Sequence, residues 1–464
     1  MELTPHPGKS RLEGTVPHFI PAILSPILRS RVPLAGALLA ASFAINSLHA
    51  GIREEDPGAA TRVRIHNPWG SVWVSGWSRP LVRIELVENA GAADSNVTRS
   101  IDSASFTRDG TDLVISTAFE HEADMILKSR TRTSWERSGR RVDLRVKLPE
   151  NLALEIRASG TGGATLEEWV GGGSVDIRTS AGRIEVKKVR LNSLAATCVG
   201  CRIEVAHYTG SGRLFSGSRS ADSISAEQKE PEGGGDIILQ DVAASTFFVE
   251  TAEGAIRGEK LSGRQTCIAR QGDILLKGVS GALEFSAGGQ GRVEIRGLSG
   301  FASGRTASGP IELEAQEWRF EDAAIFESNE GAISLRFPST LSAELDLMSA
   351  SGRTEVAFAD IAGARMSAKQ EKIQPERGFN GWLRNLSQRF WTLGAEILGL
   401  REPVSSQPDS VSQSEEVGPL PPGRFIGEVG DAAQGRGGVI RVRTGGGSIS
   451  VLRSLPPGGK SSRK

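Results

Sequence analysis

Apolar and polar residues alternate on both sides of a short turn that recurs along this chain. The stretch TSAGRIEV begins at Thr179, and near-copies begin at Thr251 (TAEGAIRG), Thr306 (TASGPIEL) and Thr444 (TGGGSISV). The shared template is apolar-x-apolar-x-Thr-x-x-Gly-x-apolar-x-apolar. Alternation of period two around a tight turn predicts strand, turn and strand, with one face of each strand directed inward.

The template returns at a regular interval. Its glycine recurs at Gly235, Gly254, Gly272, Gly291, Gly309, Gly331 and Gly352, in steps of 18 to 22 residues. Each unit has too few apolar side chains to form a core alone, so it must stack on its neighbours. Helical repeats need longer periods. The predicted fold is therefore all-β: a parallel β-solenoid with coils of about 18–22 residues, plus one inserted amphipathic helix near the C-terminus.

The threonine and glycine positions predict a stacked corner. Thr179, Thr251, Thr306 and Ser328 are expected to lie above one another. Hydroxyl groups there can bond to the turn backbone and to each other. Glycine permits the tight backbone that such a corner needs.

Interruptions of the template predict the organisation of the chain. The predicted segments are a signal peptide or N-terminal anchor (1–50), N-terminal capping coils (51–152), solenoid repeats (153–360), an amphipathic helix (361–404), a flexible linker (405–422), a final solenoid coil (423–455) and a disordered basic tail (456–464).

The predicted helix carries one apolar stripe, in steps of four and three residues: Phe379, Leu383, Leu386, Phe390, Leu393, Ile397 and Leu400. It can cap the far end of the solenoid, pair with a second copy or lie on a membrane. We expect it to dock on the solenoid, because the chain must return to add the coil from Arg436 to Leu452.

The first 50 residues predict export. Arg29 and Arg31 precede the uncharged apolar run from Val32 to Ile45, and small residues end at Ala50. That order is typical of a secretory signal, either cleaved or retained as an anchor. The expected location is the periplasm, the cell envelope or the extracellular space.

Composition narrows the classes of function. Lys and Arg number 55 against 55 Asp and Glu, so the chain lacks the broad positive charge of nucleic-acid-binding proteins. Cys198 and Cys201 form a C-x-x-C, but nothing completes a zinc site. We interpret them, with Cys267, as buried or turn residues, and a redox pair or disulfide is the alternative. No metal or cofactor is predicted.

Catalytic patterns are weak in this sequence. Glu294 and Glu312 are expected at equivalent outward positions on successive coils, near the carboxylate separation of retaining glycosidases. The same column also holds the mixed polar residues Glu185, Glu204, Arg257 and Ser334, as a solvated face would. The chain has no G-x-S-x-G and no H-E-x-x-H. We therefore predict that it is not an enzyme.

Two surface features are candidates for binding. The first, here called the basic segment, contains Arg130, Arg132, Arg137, Arg140 and Arg141. Arg145 and Lys147 follow it in the chain. It is either a solvated loop or a contact for an acidic polymer or anionic lipid headgroups. The second is the group Trp69, Trp73 and Trp77, which either covers the solenoid end or stacks on sugar rings.

Three stretches together resemble one bacterial family. These are TRVRIHNPWGSVWVSGW from Thr61, the repeated Gly-x-Ile-x-Val, and GGVIRVRTGGGSISVL from Gly437. They resemble the putative-adhesin domain family, over roughly residues 61–358 and 423–453. The resemblance implies a β-solenoid of secreted or membrane-anchored proteins and transfers no catalytic residue.

Three hypotheses about function follow. The first is an exported, non-enzymatic, adhesin-like protein whose ligand is an acidic polysaccharide or a protein of the envelope or the extracellular space. The second is a structural or sensory scaffold held at the membrane by the N-terminal segment or by helix 379–400. A polysaccharide-active β-helix enzyme is the third. No nucleic-acid partner is expected.

Overall fold

The computed structural model describes residues 52–68, 70–87, 104–117, 143–158, 162–217, 234–320, 323–352, 354–357, 361–367, 424–429 and 438–453. The chain divides into two units, Met1–Ala50 and Gly51–Lys464. Every described residue lies in the second unit. The predicted signal segment therefore lies outside the described residues.

Regular structure in the described ranges consists of β-strands. In chain order they are β1 Ile52–Glu55, β2 Arg62–Asn67, β3 Val72–Trp77, β4 Val82–Val87, β5 Ser105–Asp109, β6 Asp112–Ser116, β7 Asp143–Pro149, β8 Ala153–Ala158, β9 Ala164–Val170, β10 Ser174–Thr179, β11 Ile184–Cys198, β12 Ile203–Ser216, β13 Ile237–Thr251, β14 Ile256–Ala269, β15 Ile274–Ala287, β16 Val293–Thr306, β17 Ile311–Trp318, β18 Ala324–Ser328, β19 Ile333–Phe337, β20 Ala343–Ser349, β21 Thr354–Ala357, β22 Ile361–Ser367, β23 Arg424–Val429, β24 Gly438–Thr444 and β25 Ile449–Arg453. Within these ranges no helix has the length and apolarity that crossing a membrane requires.

The strands stack in two rows, and each coil contributes one strand to each row. The leading row contains the strands that end at the Thr corner: β6, β2, β8, β10, the second halves of β11 to β16, β18, β24 and β20. The trailing row contains the strands that follow the glycine: β7, β3, β9, the first halves of β11 to β16, β17, β19, β25 and β21. All neighbours within a row are parallel. The parallel β-solenoid architecture is thus confirmed, with two strands in each coil.

The core is a stack of apolar layers between the two rows. Ile256, Ile274 and Val293 lie in register on successive coils, and each is completely buried. The alternate residues face outward, because side chains along a strand point to opposite faces in turn. One coil is too thin to exclude water, so burial depends on the coils above and below.

The Thr corner forms a ladder of hydrogen bonds. The Thr251 hydroxyl donates to the carbonyl oxygen of Gly235 on the preceding coil, at 3.0 Å, and accepts from the Gly254 amide of its own turn, at 3.1 Å. Ser328, Thr444 and Ser349 repeat both bonds. These hydroxyls are buried, so they satisfy turn groups that water does not reach. The predicted bonding of stacked hydroxyls to turn backbone is confirmed for Thr251 and Ser328, while Thr306 donates to Gly309 of its own turn and Thr179 contacts the Cys201 sulfur.

The glycine column permits close backbone contact between coils. A Cβ atom on Gly309 would lie 1.9 Å from the carbonyl oxygen of Gly291, and one on Gly331 would lie 2.0 Å from that of Gly309. Real Cβ atoms do not approach backbone so closely. The recurrence of glycine therefore follows from the stacking distance itself.

Cys198 and Cys201 occupy the threonine and glycine positions of one corner. Cys198 is in register with Thr179 on one side and Ser216 on the other. The pair is buried and forms the disulfide that the sequence analysis gave as the alternative interpretation. Cys267 is a free thiol in the core, where burial raises its pKa to about 12. It therefore stays protonated at neutral pH.

The coils near the N-terminal end are not stacked in chain order. The coil of β2 and β3 lies between the coil of β6 and β7 and the coil of β8 and β9. Antiparallel pairs of β5 with β6, β4 with β7 and β1 with β4 complete this end. A change to antiparallel pairing ends the parallel stack there.

The C-terminal end has the same kind of interleaving. The coil of β24 and β25 lies between the coil of β18 and β19 and the coil of β20 and β21. The corner ladder follows this order, since Thr444 donates to Gly331 and Ser349 donates to Gly447. The coil predicted within 423–455 is therefore stacked inside the solenoid, one position from its end, and not after the last repeat.

The prediction of a helix over 361–404 is wrong for its first seven residues. Ile361–Ser367 forms strand β22, which pairs antiparallel with β23, and β23 pairs antiparallel with β20. The open edge of β20 offers backbone donors and acceptors that extended chain satisfies. The stripe from Phe379 to Leu400, the linker 405–422 and the tail 456–464 lie outside the described residues.

The corner ladder leads to a test of stability. We expect Thr251→Val to lower the free energy of unfolding by about 1–3 kcal/mol, because it leaves the buried Gly254 amide without its acceptor. Thr197→Val is the control, because Thr197 is a half-buried strand residue outside the ladder. Urea unfolding of both variants checks the prediction. Equal effects would contradict a stabilising role for the ladder.

Candidate ligand-binding groove

A groove lies on the outer face of the trailing row near its N-terminal end. Its volume is about 270 Å³, and it is lined by Trp73, Val74, Ser75, Arg145, Lys147, Glu167 and Glu168. These residues come from three neighbouring strands, β7, β3 and β9. The volume is just below the range of sites that enclose a small molecule, so the groove suits one or two units of a longer chain.

Strand β3 gives the groove its aromatic residue. Val72 and Val74 are completely buried, and the alternation along the strand therefore turns Trp73 and Ser75 outward. The alternation of Val72, Trp73 and Val74 in the sequence predicts the same orientation. Trp73 is half-buried, and the exposed part of its indole lines the groove between the strands of Arg145 and Thr165.

Strand β7 gives the groove its positive charge. Arg145 and Lys147 are exposed, and Val146 between them is completely buried. Asp143 at the start of the strand is 1% exposed, and its carboxylate accepts a hydrogen bond from the Ser71 amide at 2.7 Å. Asp143 thus fixes β7 beside the turn before β3.

Strand β9 places two carboxylates at the opposite side of the groove. Glu168 has a positive φ of 52°, which interrupts the alternation so that Glu167 and Glu168 are both exposed while Trp169 is completely buried. The same left-handed residue recurs on the next coils, at Lys188, His207, Asp241 and Lys260. Since it occurs at the same bend of five successive coils, this backbone strain is a property of the repeat there.

The charges of the groove are incompletely neutralised. Arg145 approaches Glu85 only to 4.0 Å, and Glu168 forms an exposed ion pair with Lys188 at 3.3 Å. Lys147 and Glu167 have no ion pair with any described residue. Exposed pairs contribute little free energy, so a ligand can replace them. The groove therefore offers a cation, a carboxylate and an aromatic face within one short stretch of surface.

The remaining predicted site residues have different surroundings. The indole nitrogen of Trp77 donates to the Leu81 carbonyl oxygen at 2.6 Å, and the Arg79 guanidinium lies 5.5 Å from the centre of its ring. Trp77 therefore holds the connection from β3 to β4. Trp69 and the basic-segment residues Arg130, Arg132, Arg137, Arg140 and Arg141 lie outside the described residues.

The carboxylate column on the trailing row lies farther along the solenoid. Glu294 and Glu312 are register partners, and Glu312 is followed by Ser334, as the repeat predicts. Arg292 and Arg296 both form ion pairs with Glu294. Among the described residues no group of three His, Cys, Asp or Glu side chains is placed to hold a metal ion.

Sequence reasoning did not find that these features form one site. Trp73, Arg145 and Glu167 are separated by 72 and 22 residues in the chain, yet they lie on adjacent strands. The buried Asp143 joins β7 to the turn before β3 through its bond to Ser71, but in the sequence it resembles an ordinary surface charge.

Comparisons with known proteins give little further information. No family model and no curated protein matches the chain. Among solved structures it is similar to a crystal structure of a putative cell adhesion protein from Clostridium sporogenes, at 10% identity and a TM-score of 0.15, covering 87% of this chain and 98% of that one. A TM-score this low does not establish a shared fold.

Proposed function

We propose that this chain is an exported, non-enzymatic β-solenoid that binds an acidic glycan at the cell envelope or in the extracellular space. The observation that carries the proposal is the groove in which the half-buried Trp73 lies beside Lys147 and Arg145. Its mode of action is adhesin-like, because the rows of strands form a regular surface on which a polymer can lie.

The chemistry of the groove matches a sugar acid. An indole face packs against the apolar face of a pyranose ring, and it does so with little loss of conformational entropy. Lysine and arginine pair with carboxylate or sulfate groups, and arginine does so with two parallel hydrogen bonds. Both kinds of contact are available on adjacent strands, about 4.8 Å apart.

The surroundings of the outward carboxylates Glu294 and Glu312 bear on the non-enzymatic part of this proposal. Glu294 is occupied by Arg292 and Arg296, so it is poorly placed to act as a general acid or a nucleophile. Glu312, the register partner of Glu294 on the next coil, faces solvent. The alternative of a membrane-held scaffold depends on residues 1–50 and 379–400, and no described residue favours it.

Binding by the groove is tested with variants of its two main contacts. Against an oligosaccharide of alternating uronic acid and N-acetylhexosamine, we expect Trp73→Ala and Lys147→Ala each to weaken binding roughly tenfold. Affinity should also fall as salt rises from 50 to 500 mM, because exposed charges are screened within about 8 Å at physiological ionic strength. Isothermal titration calorimetry measures both effects.

The controls separate binding from folding. Lys277→Ala removes an exposed lysine from the same outer face several coils away, and its affinity should equal that of the wild type. Trp73→Phe keeps an aromatic face and should recover much of the binding. If Trp73→Ala and Lys147→Ala bind like the wild type while melting normally, the groove is not the binding site.

A further inference from the structure

We propose, resting on the function above, that the groove selects a glycan with isolated acidic groups beside amine-bearing or neutral units and rejects a uniformly polyanionic chain. The basis is that the groove carries charge of both signs on opposite sides of Trp73. A sulfated polymer would satisfy Lys147 and then meet Glu167.

Strand register sets the order of these groups. Across strands β7, β3 and β9, one set of register partners is Arg145, Trp73 and Thr165. The set two residues farther along the strands is Lys147, Ser75 and Glu167. Lys147 and Glu167 are two strands apart, so their Cα atoms are separated by about 10 Å. The cation therefore meets one sugar unit, or one edge of it, while the carboxylate meets the other.

The carboxylate side prefers donors. An ionised carboxylate only accepts hydrogen bonds, so Glu167 favours sugar hydroxyls or an ammonium group and opposes a second acid. Glu168 adds a neighbouring negative charge that its exposed pair with Lys188 only partly offsets. A chain with an acid on every unit would place like charges together at this position.

On the next coil the two lysines nearest the groove, Lys187 and Lys188, are already paired with carboxylates. Lys187 is the register partner of Glu167 on the next coil, but Glu185 pairs with it. In the register set of Trp73, the partner of Thr165 on the next coil is Glu185, and that of Glu185 is Glu204. Both glutamates form ion pairs with Arg183. A polyanion that continued from the groove along this line of side chains would therefore meet Glu185 and Glu204.

Three probes of equal length test the selectivity. They are an alternating uronic acid–N-acetylhexosamine oligosaccharide, the same oligosaccharide with part of its acetyl groups removed to expose amines, and a densely sulfated heparin-type oligosaccharide. We expect the full chain to bind the amine-bearing probe at least as tightly as the acetylated one, and the sulfated probe several-fold more weakly.

The decisive variant is Glu167→Gln. It should raise affinity for the sulfated probe by about three- to tenfold and lower affinity for the amine-bearing probe by a similar factor. Glu259→Gln is the matched control, because Glu259 is exposed at the equivalent position of the trailing row several coils away. Its ranking of the three probes should be that of the wild type.

The outcomes distinguish the selectivity from the binding function. If Glu167→Gln leaves the ranking unchanged, or if the wild type prefers the sulfated probe, the selectivity is overturned. The function stands in that case provided that Trp73→Ala and Lys147→Ala still weaken binding. If those two variants also bind normally, the binding function itself fails. Thermal melts of each variant exclude misfolding as the cause.

Discussion

Replacing Ile274 with Asp should cost about 3–5 kcal/mol of stability, enough to unfold many domains of this kind. Ile274 faces the core from β15, between Ile256 and Val293 on the adjacent coils, and is completely buried. A carboxylate at this position would have apolar neighbours above and below and no cation to pair with. The protein must then bury a charge, protonate it or open the coil, and each choice destabilises the fold.

The control for this experiment is the same substitution one residue later. Leu275 faces outward between Arg257 and Glu294 and is half-buried, so Leu275→Asp can direct its carboxylate into water. We expect a change below about 1 kcal/mol. Urea unfolding curves give both values, and comparable losses would mean that the inward and outward faces are assigned the wrong way round. Glu294→Ala is less suitable, because Glu294 is paired with two arginines.

The sequence predicts the repeat and its register well because both come from one physical constraint. A corner that stacks must present the same hydroxyl and the same glycine in each coil, so Thr251 and Gly254 align with Gly235 by spacing alone. The register then fixes which side chains face outward. The placement of Glu294 beside Glu312, and of Trp73 on the outer face, follows directly.

The order of coils at the ends could not be predicted in this way. The coil with Thr444 and Gly447 has the same template as the coil with Ser328 and Gly331, and the template specifies that a coil stacks but not on which neighbour. The groove could not be predicted from the sequence for the same reason. Arg145 reaches Trp73 only because β2 and β3 enter the stack out of chain order.

Strand β22 shows a different limit. Residues after Phe358 no longer follow the template, and the apolar stripe from Phe379 to Leu400 favours a helix for the segment as a whole. Ile361–Ser367 is nevertheless extended, because β23 pairs with it along an edge that comes from a distant part of the chain. Tertiary pairing decides such a short segment against a local pattern.

Truncation after Gly437 is expected to disrupt the C-terminal end of the solenoid, since the coil that it removes lies in the interior. Ile440, Val442, Ile449 and Val451 are each completely buried. Their burial contributes about 6–12 kcal/mol, which is comparable with the stability of a whole domain. A terminal coil would instead have one open face, and its removal would leave the remaining stack intact.

The loss would extend beyond the deleted residues. Phe320 packs against Gly438, since a Cβ on that glycine would lie 2.2 Å from its ring, and the ring also contacts Trp318 at 6.0 Å between centroids. Trp318 in turn packs edge-on against Phe337 at 4.8 Å. Removing the coil thus uncovers an aromatic cluster and leaves one edge of each of four strands (β18, β19, β20 and β21) unpaired, and both promote aggregation.

The measurement is a thermal melt with light scattering on three chains: the full chain, the truncation after Gly437 and a truncation after Arg453 that keeps β25. We expect the shorter chain to lose more than about 10 °C in Tm and to self-associate, and the longer one to melt like the full chain. The coil of β20 and β21 carries its own hydroxyl and glycine, Ser349 and Gly352, and so has the groups to close directly onto β18 and β19. A monomeric truncation with a nearly unchanged Tm would mean that it does so, and that the inserted coil is dispensable to the stack.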